Sequence, residues 1–396
     1  MSKTLPLSEV KAKLSEVVDE IVSLDDYRRR HALYKTDPDL QAAHASAPWI
    51  MIWDDHETAN DSYTDGAENH QPDVEGDWSA RKRAALQAYF EWTPVREPQP
   101  GRAREALWRT FEVGDLATLV MLETRMTGRS RQLTWDDAPV PYTANPNDAE
   151  ARAATDAFLR DVVGAEDRHM LGSEQEADVE AALTRSVAAG KPWQILGNEV
   201  ILAPIVAPDF VEAAPRWLKL YLRLRNREAY AYLRRSEFNV PLNLDQWDGY
   251  PAARRRLYAA AERSGAQLLA LAGDTHNFFV NELYTDDGAR MGVELGTSGV
   301  SSPSAFLGIP RTSVDIPALM QATNPHILHH NAYDRGYIAV TLTPKSAHAE
   351  LRRVTDVEDP GGTVEPYKAY RIAKNEAGTL QASETAPRAP TVRRQA

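Results

Sequence analysis

Two short apolar runs constrain the fold most: Trp49-Ile50-Met51-Ile52-Trp53, which stops at Asp54, and Gln267-Leu268-Leu269-Ala270-Leu271-Ala272, which stops at Gly273-Asp274. An unbroken apolar stretch of this length with polar flanks reads as a strand buried on both faces, the kind a parallel sheet uses. An amphipathic helix is predicted over 7–22, where Leu7, Val10, Leu14, Val17, Val18 and Ile21 share one face of a 3.6-residue period and Ser8 can cap. Further helices are predicted over 24–34, 37–47, 78–91, 147–163, 174–189, 215–235 and 252–264, with a polar loop over 61–77. Strands at 106–112 and 116–123, joined by Gly114-Asp115, read as a hairpin, and others are expected at 193–196, 291–295, 337–342 and 348–354. Residues 375–396 lack periodicity and are rich in Ala, Thr, Pro, Glu and Arg, which predicts a disordered tail. Strands separated by helices early and hairpin-spaced strands late give a layered α/β domain with a mixed sheet.

The 396 residues carry 57 acids against 45 Lys and Arg, a formal charge of −12. That balance argues against a nucleic-acid phosphate surface and fits metal cations or small substrates held by a few placed arginines. Cysteine is absent, which excludes disulfides, thiolate metal sites and thiol nucleophiles. Any metal must be held by His, carboxylate, Asn or Tyr. No apolar run approaches the roughly 18 residues of a membrane span, and Met1-Ser2-Lys3-Thr4 leads into no signal-like core, so the chain as written reads as cytoplasmic.

Chemistry concentrates at the two strand ends. Asp54-Asp55-His56-Glu57-Thr58-Ala59-Asn60-Asp61 packs four acids, a His and an Asn just after the first run, and Asp274-Thr275-His276 follows the second. Ligands of open α/β sheets bind beyond the carboxyl ends of strands, and imidazole with carboxylate suits Fe, Zn or Mn. One Asp-His pair after a strand caps a turn as readily as it binds metal. Two such pairs in a chain with ten His are a stronger signal.

The string Ile52-Trp53-Asp54-Asp55-His56-Glu57 with Asn60 resembles the W-D-D-H-E motif of the alkaline phosphatase D (PhoD) family of metallophosphoesterases. Other stretches follow in family order: Asp26-Tyr27-Arg28-Arg29-Arg30, Leu122-Glu123-Thr124-Arg125, Met170-Leu171-Gly172, Leu196-Gly197-Asn198, Trp247-Asp248-Gly249-Tyr250, Gly273-Asp274-Thr275-His276, Asn324-Pro325-His326 and Arg335-Gly336-Tyr337. The resemblance covers about residues 20–370 and implies a calcineurin-like four-layer α/β/β/α sandwich that hydrolyses phosphate monoesters or diesters with metal-activated water. By the same resemblance Asp55, Asp274 and His276 are metal ligands, His56 is the proton donor to the leaving group, and Fe and Ca are the expected metals, with Zn or Mn as alternatives. Asp54, Asn60, Arg125 and Asn198 are candidates for phosphate contacts or for support behind the ligands. Each has a plainer reading: a turn carboxylate for Asp54, loop ordering for Glu57, an ion pair with Glu123 or Asp115 for Arg125, and backbone capping for Asn198. Asp245 and Asp248 read as holding the Trp247-Gly249-Tyr250 turn, and His329 and His330 as solvent-exposed.

Family members carry F-x-S-C and G-D-x-x-Y segments upstream of W-D-D-H-E, and neither occurs among the fifty or so residues before Asp55. The expectation is a sandwich incomplete at its N-terminal strands, with weak or lost activity and an exposed sheet edge at Ile50–Trp53 open to self-association. Residues 2–20, beginning Ser2-Lys3-Thr4-Leu5-Pro6-Leu7, resemble the opening of Phd/YefM-type antitoxins and read as a fusion or a mis-joined reading frame. The organisation expected is therefore 1–22 antitoxin-like, 23–374 phosphatase-like and 375–396 disordered. The competing function is a non-catalytic interaction module that self-associates through the N-terminal helix or the exposed edge. The family is usually exported, although this sequence shows no export signal.

Overall fold

The computed structural model describes residues 20–388, apart from 308, 310, 312 and 360. Nearly all of the 7–22 helix and the antitoxin-like segment lie outside the described residues. Two compact units divide the chain: one runs to Trp108 and adds Arg125–Gln132, and the other takes Arg109–Thr124 and everything from Leu133 onward. Arg125–Gln132 belongs with the first because Met126 packs into a core of Trp53, Leu86, Tyr89 and Leu107.

The first unit is helical. Its α1 (Leu24–Tyr34) starts at a capping box between Ser23 and Asp26, and α2 (Pro38–Ser46) starts on Asp37 with proline in its first turn. A short α3 (Pro72–Glu75) precedes α4 (Trp78–Trp92), which Asp77 caps. Residues 50–53, expected as a buried strand, pair with no sheet. The aromatic side chains of this run are taken up by other contacts: Trp53 packs edge-on to Tyr89 at 5.3 Å between ring centroids, and Trp49 stacks on His44 at 4.3 Å. Among the described residues no strand forms at 50–53, so the exposed strand edge expected there is not seen. Arg81 of α4, fully buried, pairs with Glu20 and Glu75 and donates to the Tyr27 hydroxyl at 3.1 Å. That hydroxyl in turn donates to the Thr58 carbonyl at 2.5 Å, which ties the acidic loop to both helices.

The second unit is built on two sheets. The hairpin of β1 (Arg109–Val113) and β2 (Ala117–Met121) forms as expected. After α5 (Ala149–Phe158) and α6 (Ser173–Ala188) come β3 (Trp193–Gly197), α7 (Phe210–Ala213), α8 (Arg216–Arg225) and α9 (Arg227–Arg235). The helix predicted over 215–235 breaks at Asn226, whose side chain caps α9 by accepting from Ala229 N at 3.0 Å. Then follow α10 (Pro251–Ser264), β4 (Leu268–Ala272), β5 (Phe278–Tyr284), β6 (Arg290–Gly296), α11 (Ile316–Thr323) and β7 (Ile327–Asn331). The larger sheet has the order β1-β2-β3-β4-β6-β5-β7, with β2, β3, β4 and β6 mutually parallel.

The smaller sheet is antiparallel, with β8 (Gly336–Leu342), β9 (Ala347–Val354), β10 (Val364–Lys374) and β11 (Leu380–Thr385) in the order β11-β10-β9-β8. Its inner face, including Ala347, Leu351, Ile372 and Leu380, packs on Trp193, Leu269, Phe278 and Val293 of the larger sheet. The opposite face of the larger sheet carries a second core with Leu183 of α6, Leu257 of α10 and Met320 of α11. The described residues of this unit thus stack helix, sheet and sheet, a mixed α/β architecture. The tail expected to be disordered from Asn375 is ordered through β11: Leu380 and Ala382 alternate inward, Leu380 N donates to Gln267 at 3.0 Å, and β11 pairs with β10 from Leu380 to Thr385. Residues 389–396 lie outside the described residues.

Candidate metal centre

In the first unit, Asp54–Asp61 fold into a tight, self-bonded loop. Asp54 N donates to Glu57 at 2.7 Å and His56 N donates to Asp54 Oδ1 at 2.7 Å, while Thr58 N and Ala59 N both reach the Asp55 carbonyl at 2.8 Å. Glu57 therefore orders the loop, its plainer reading. Asp55 is 1% exposed, and its Oδ2 accepts from Asp61 N at 2.7 Å. Its Oδ1 is buried and accepts no hydrogen bond, and His56 Nε2 lies 3.9 Å from it. Burial pushes this carboxyl up, but the charge of Arg125, then that of His56 and the bonds from the loop, bring it down to about 2. An ionised, buried oxygen without a donor is costly unless a cation faces it, so the site fits a metal. Asp54 and Asp55 present carboxylate oxygens within 4.8 Å of each other. The imidazole of His56 points largely to solvent, and Arg125 is fully buried beside Asp55. Asn60 spends its amide on Glu68 at 2.6 Å, so it holds the loop.

In the second unit, the carboxyl ends of four parallel strands lie at one edge of the sheet. Backbone bonds beyond the ladders tie these ends together: Leu122 N to Gly197 O at 2.9 Å, Asn198 N to Leu271 O at 2.8 Å, Gly273 N to Glu199 O at 2.6 Å and Thr297 N to Ala272 O at 2.8 Å. Glu199 and Asp274 present carboxylate oxygens within 4.8 Å of each other, and Thr124 donates its hydroxyl to Glu199. Asp274 (φ 63°) and His276 (φ 56°) both sit in the left-handed region, which is uncommon outside glycine. Such outliers persist where surroundings over-determine them, and here Ser298 Oγ donates to the His276 carbonyl at 3.1 Å. His276 Nδ1 lies 2.8 Å from the Pro303 carbonyl. A carbonyl only accepts, so Nδ1 carries a proton, and in the neutral ring that leaves Nε2 as the nitrogen open to a metal. His276 nevertheless stands outside the close Glu199–Asp274 pair.

Asn198 donates its amide to the Val200 carbonyl and accepts from Trp247 Nε1 at 3.3 Å, so it braces the loop after β3. The same loop is held by Glu294, which accepts from Leu202 N, Ala203 N and Asn281. Burial pushes the Glu294 carboxyl up. Glu199 is the residue that reading the sequence missed. It immediately follows the Leu196-Gly197-Asn198 stretch at a strand end, which was the available signal.

Glu199 and Asp274, carboxylates that follow the parallel strands β3 and β4, offer oxygen ligands suited to a hard cation on a mixed α/β scaffold. The chain belongs to the PhoD-like phosphatase family, whose model matches residues 3–351. It is similar to alkaline phosphatase D of Bacillus subtilis (strain 168), at 29% identity over 372 residues that make up 92% of this chain and 54% of that protein. A solved structure of PhoD superposes with a TM-score of 0.67 at 25% identity, covering 94% of this chain and 61% of the solved one. The chain thus spans between half and two thirds of the length of these relatives. Among the described residues no helix is long and apolar enough to cross a membrane.

Proposed function

We propose that this chain is a metal-dependent phosphoesterase acting on phosphate monoesters or diesters, in which the Asp54–Asp55 pair of the first unit and the Glu199–Asp274 pair of the second each offer carboxylates to divalent cation, with His276 of the second unit as a further ligand through Nε2. The observation that carries the reading is the buried, donor-less Oδ1 of Asp55. Bound metal would supply a water acidic enough to attack at moderate pH and a clamp on the phosphoryl oxygens. Arg125 keeps Asp55 anionic and so ready to ligate. His56, exposed beside Asp55, is placed to hand a proton to the departing oxygen. Asn60 and Asn198 act by bracing the two loops. We infer the calcineurin-like sandwich for the whole fold, on the strength of the helix, sheet and sheet layers and the likeness to PhoD. Fe and Ca are the metals proposed first, with Zn and Mn as alternatives.

The test is purification of the full chain, measurement of bound metal, and hydrolysis of an aryl phosphate monoester and diester at alkaline pH. Asp55→Asn and Asp274→Asn should each lower the rate by about a thousandfold and reduce bound metal. His56→Ala should lower the rate by about a hundredfold or more with metal content unchanged. Metal-free protein that stays inactive after reconstitution with each of the four metals would sink the proposal.

A further inference from the structure

Helix α8, with sequence Arg216-Trp217-Leu218-Lys219-Leu220-Tyr221-Leu222-Arg223-Leu224-Arg225, is apolar in two directions. Leu218 is buried and Leu222 packs against the same core, which anchors the helix to its unit. Trp217, Leu220, Tyr221 and Leu224 stand at offsets 0, 3, 4 and 7, which puts them on one stripe roughly 100° wide, away from the anchor. All four are more than half exposed. At a helical period Arg216, Lys219 and Arg223 flank one side of that stripe and Arg225 the other. Arg216, Arg223 and Arg225 form no ion pair among the described residues.

We propose that α8 is an interfacial helix that docks this protein on an anionic lipid bilayer. Charge complementarity selects the occupant. Residues 215–235 hold seven Lys and Arg against the single acid Glu228, in a chain whose net charge is −12. A second copy of the chain would bring two equally cationic patches face to face, which opposes a symmetric dimer. A soluble polyanion would use the arginines and leave Leu220 and Leu224 in water. An anionic bilayer uses both: the leucines and the bodies of Trp217 and Tyr221 enter the headgroup boundary, and the flanking cations meet lipid phosphates. The anchor through Leu218 and Leu222 leaves the outer stripe free to lie parallel to such a surface.

The experiment is co-sedimentation of the full chain with vesicles of phosphatidylcholine alone and of phosphatidylcholine containing about 30% phosphatidylglycerol. The expected result is pelleting with the anionic vesicles only, reduced at least about tenfold both by Leu220→Glu with Leu224→Glu and by Arg223→Glu with Arg225→Glu. Because all four positions are exposed, the melting temperatures of both variants should match the parent's, and Leu220→Ala with Leu224→Ala should weaken binding to an intermediate degree. Equal or absent pelleting with the two vesicle types overturns the proposal. It also falls if the leucine variant binds as well as the parent, which would mark a surface for soluble polyanions. Concentration-dependent dimerisation that the leucine variant abolishes, without vesicle binding, would assign the stripe to a second copy instead.

Discussion

Asp248 bonds Arg254 through one carboxylate oxygen at 2.7 Å and the backbone N–H of Ile205 through the other, also at 2.7 Å. Both side chains are buried. The pair joins the start of α10 to the loop that follows β3, the loop that presents Glu199. Asp248 therefore does more than hold the Trp247-Gly249-Tyr250 turn. Removing one partner of a buried pair strands the other charge, so Arg254→Met should destabilise the protein by roughly 3–5 kcal/mol in denaturant titration. Asp248→Asn, which leaves the buried Arg254 guanidinium without its counter-charge, should cost at least as much. If the two variants unfold at the parent's midpoint, the pair does not brace this loop.

His329 and His330 lie on β7 and are largely withdrawn from water, contrary to the expectation that they are exposed. Burial, with the charge of Lys368, brings His329 down to about 4; burial, with the charge of His329, brings His330 down to about 3. An unfolded histidine titrates near 6.5. Their contribution to stability is therefore complete above that pH and is lost as pH falls through 4 and 3. Acid unfolding followed by circular dichroism should show this loss, and His330→Leu should move the acid midpoint to lower pH. The ring nitrogens of His330 accept and donate nothing, and its ring lies on Phe279 at 4.5 Å, so leucine costs no hydrogen bond there. An unmoved midpoint would show that this histidine does not govern acid sensitivity.

Gly292 of β6 pairs with Leu268 of β4 at φ 155°, and a Cβ there would meet the Leu268 carbonyl oxygen at 1.9 Å. No side chain can yield, because the obstacle is backbone. Gly292→Ala should force these central strands apart at a cost of roughly 3 kcal/mol, lowering both the melting temperature and the soluble yield. A variant that melts with the parent would mean that the strand pair can spread without loss.

The elements readable in the sequence were those in which one pattern acted alone. The capped helices α1 and α4 and the apolar strand β4 all stand where periodicity and turn chemistry place them. The strands β5, β7, β10 and β11 are not marked by an alternating or unbroken apolar pattern bounded by turn residues. Asn281 of β5 is buried against Glu294, and His330 of β7 is buried against Phe279; partners more than ten residues away satisfy or cover them, and local reading has no access to that. The reverse error fell on Ile50–Trp53, where an apolar run looked like a strand but packs on helices instead. At the candidate site the motifs pointed to Asp55 and Asp274. Glu199 lies one residue beyond the Leu196-Gly197-Asn198 stretch, and what brings it to Asp274 is the pairing of β3 with β4, which local sequence does not carry.

The left-handed backbone at Asp274 and His276 sets fold and chemistry against each other. Glycine would relieve about 1 kcal/mol of conformational strain at each position, so a selection for heat resistance alone would favour replacing both. The same replacements would strip a carboxylate and an imidazole from the end of β4. The left-handed turn at the end of β4 thus carries two side chains able to meet a cation where glycine would carry none.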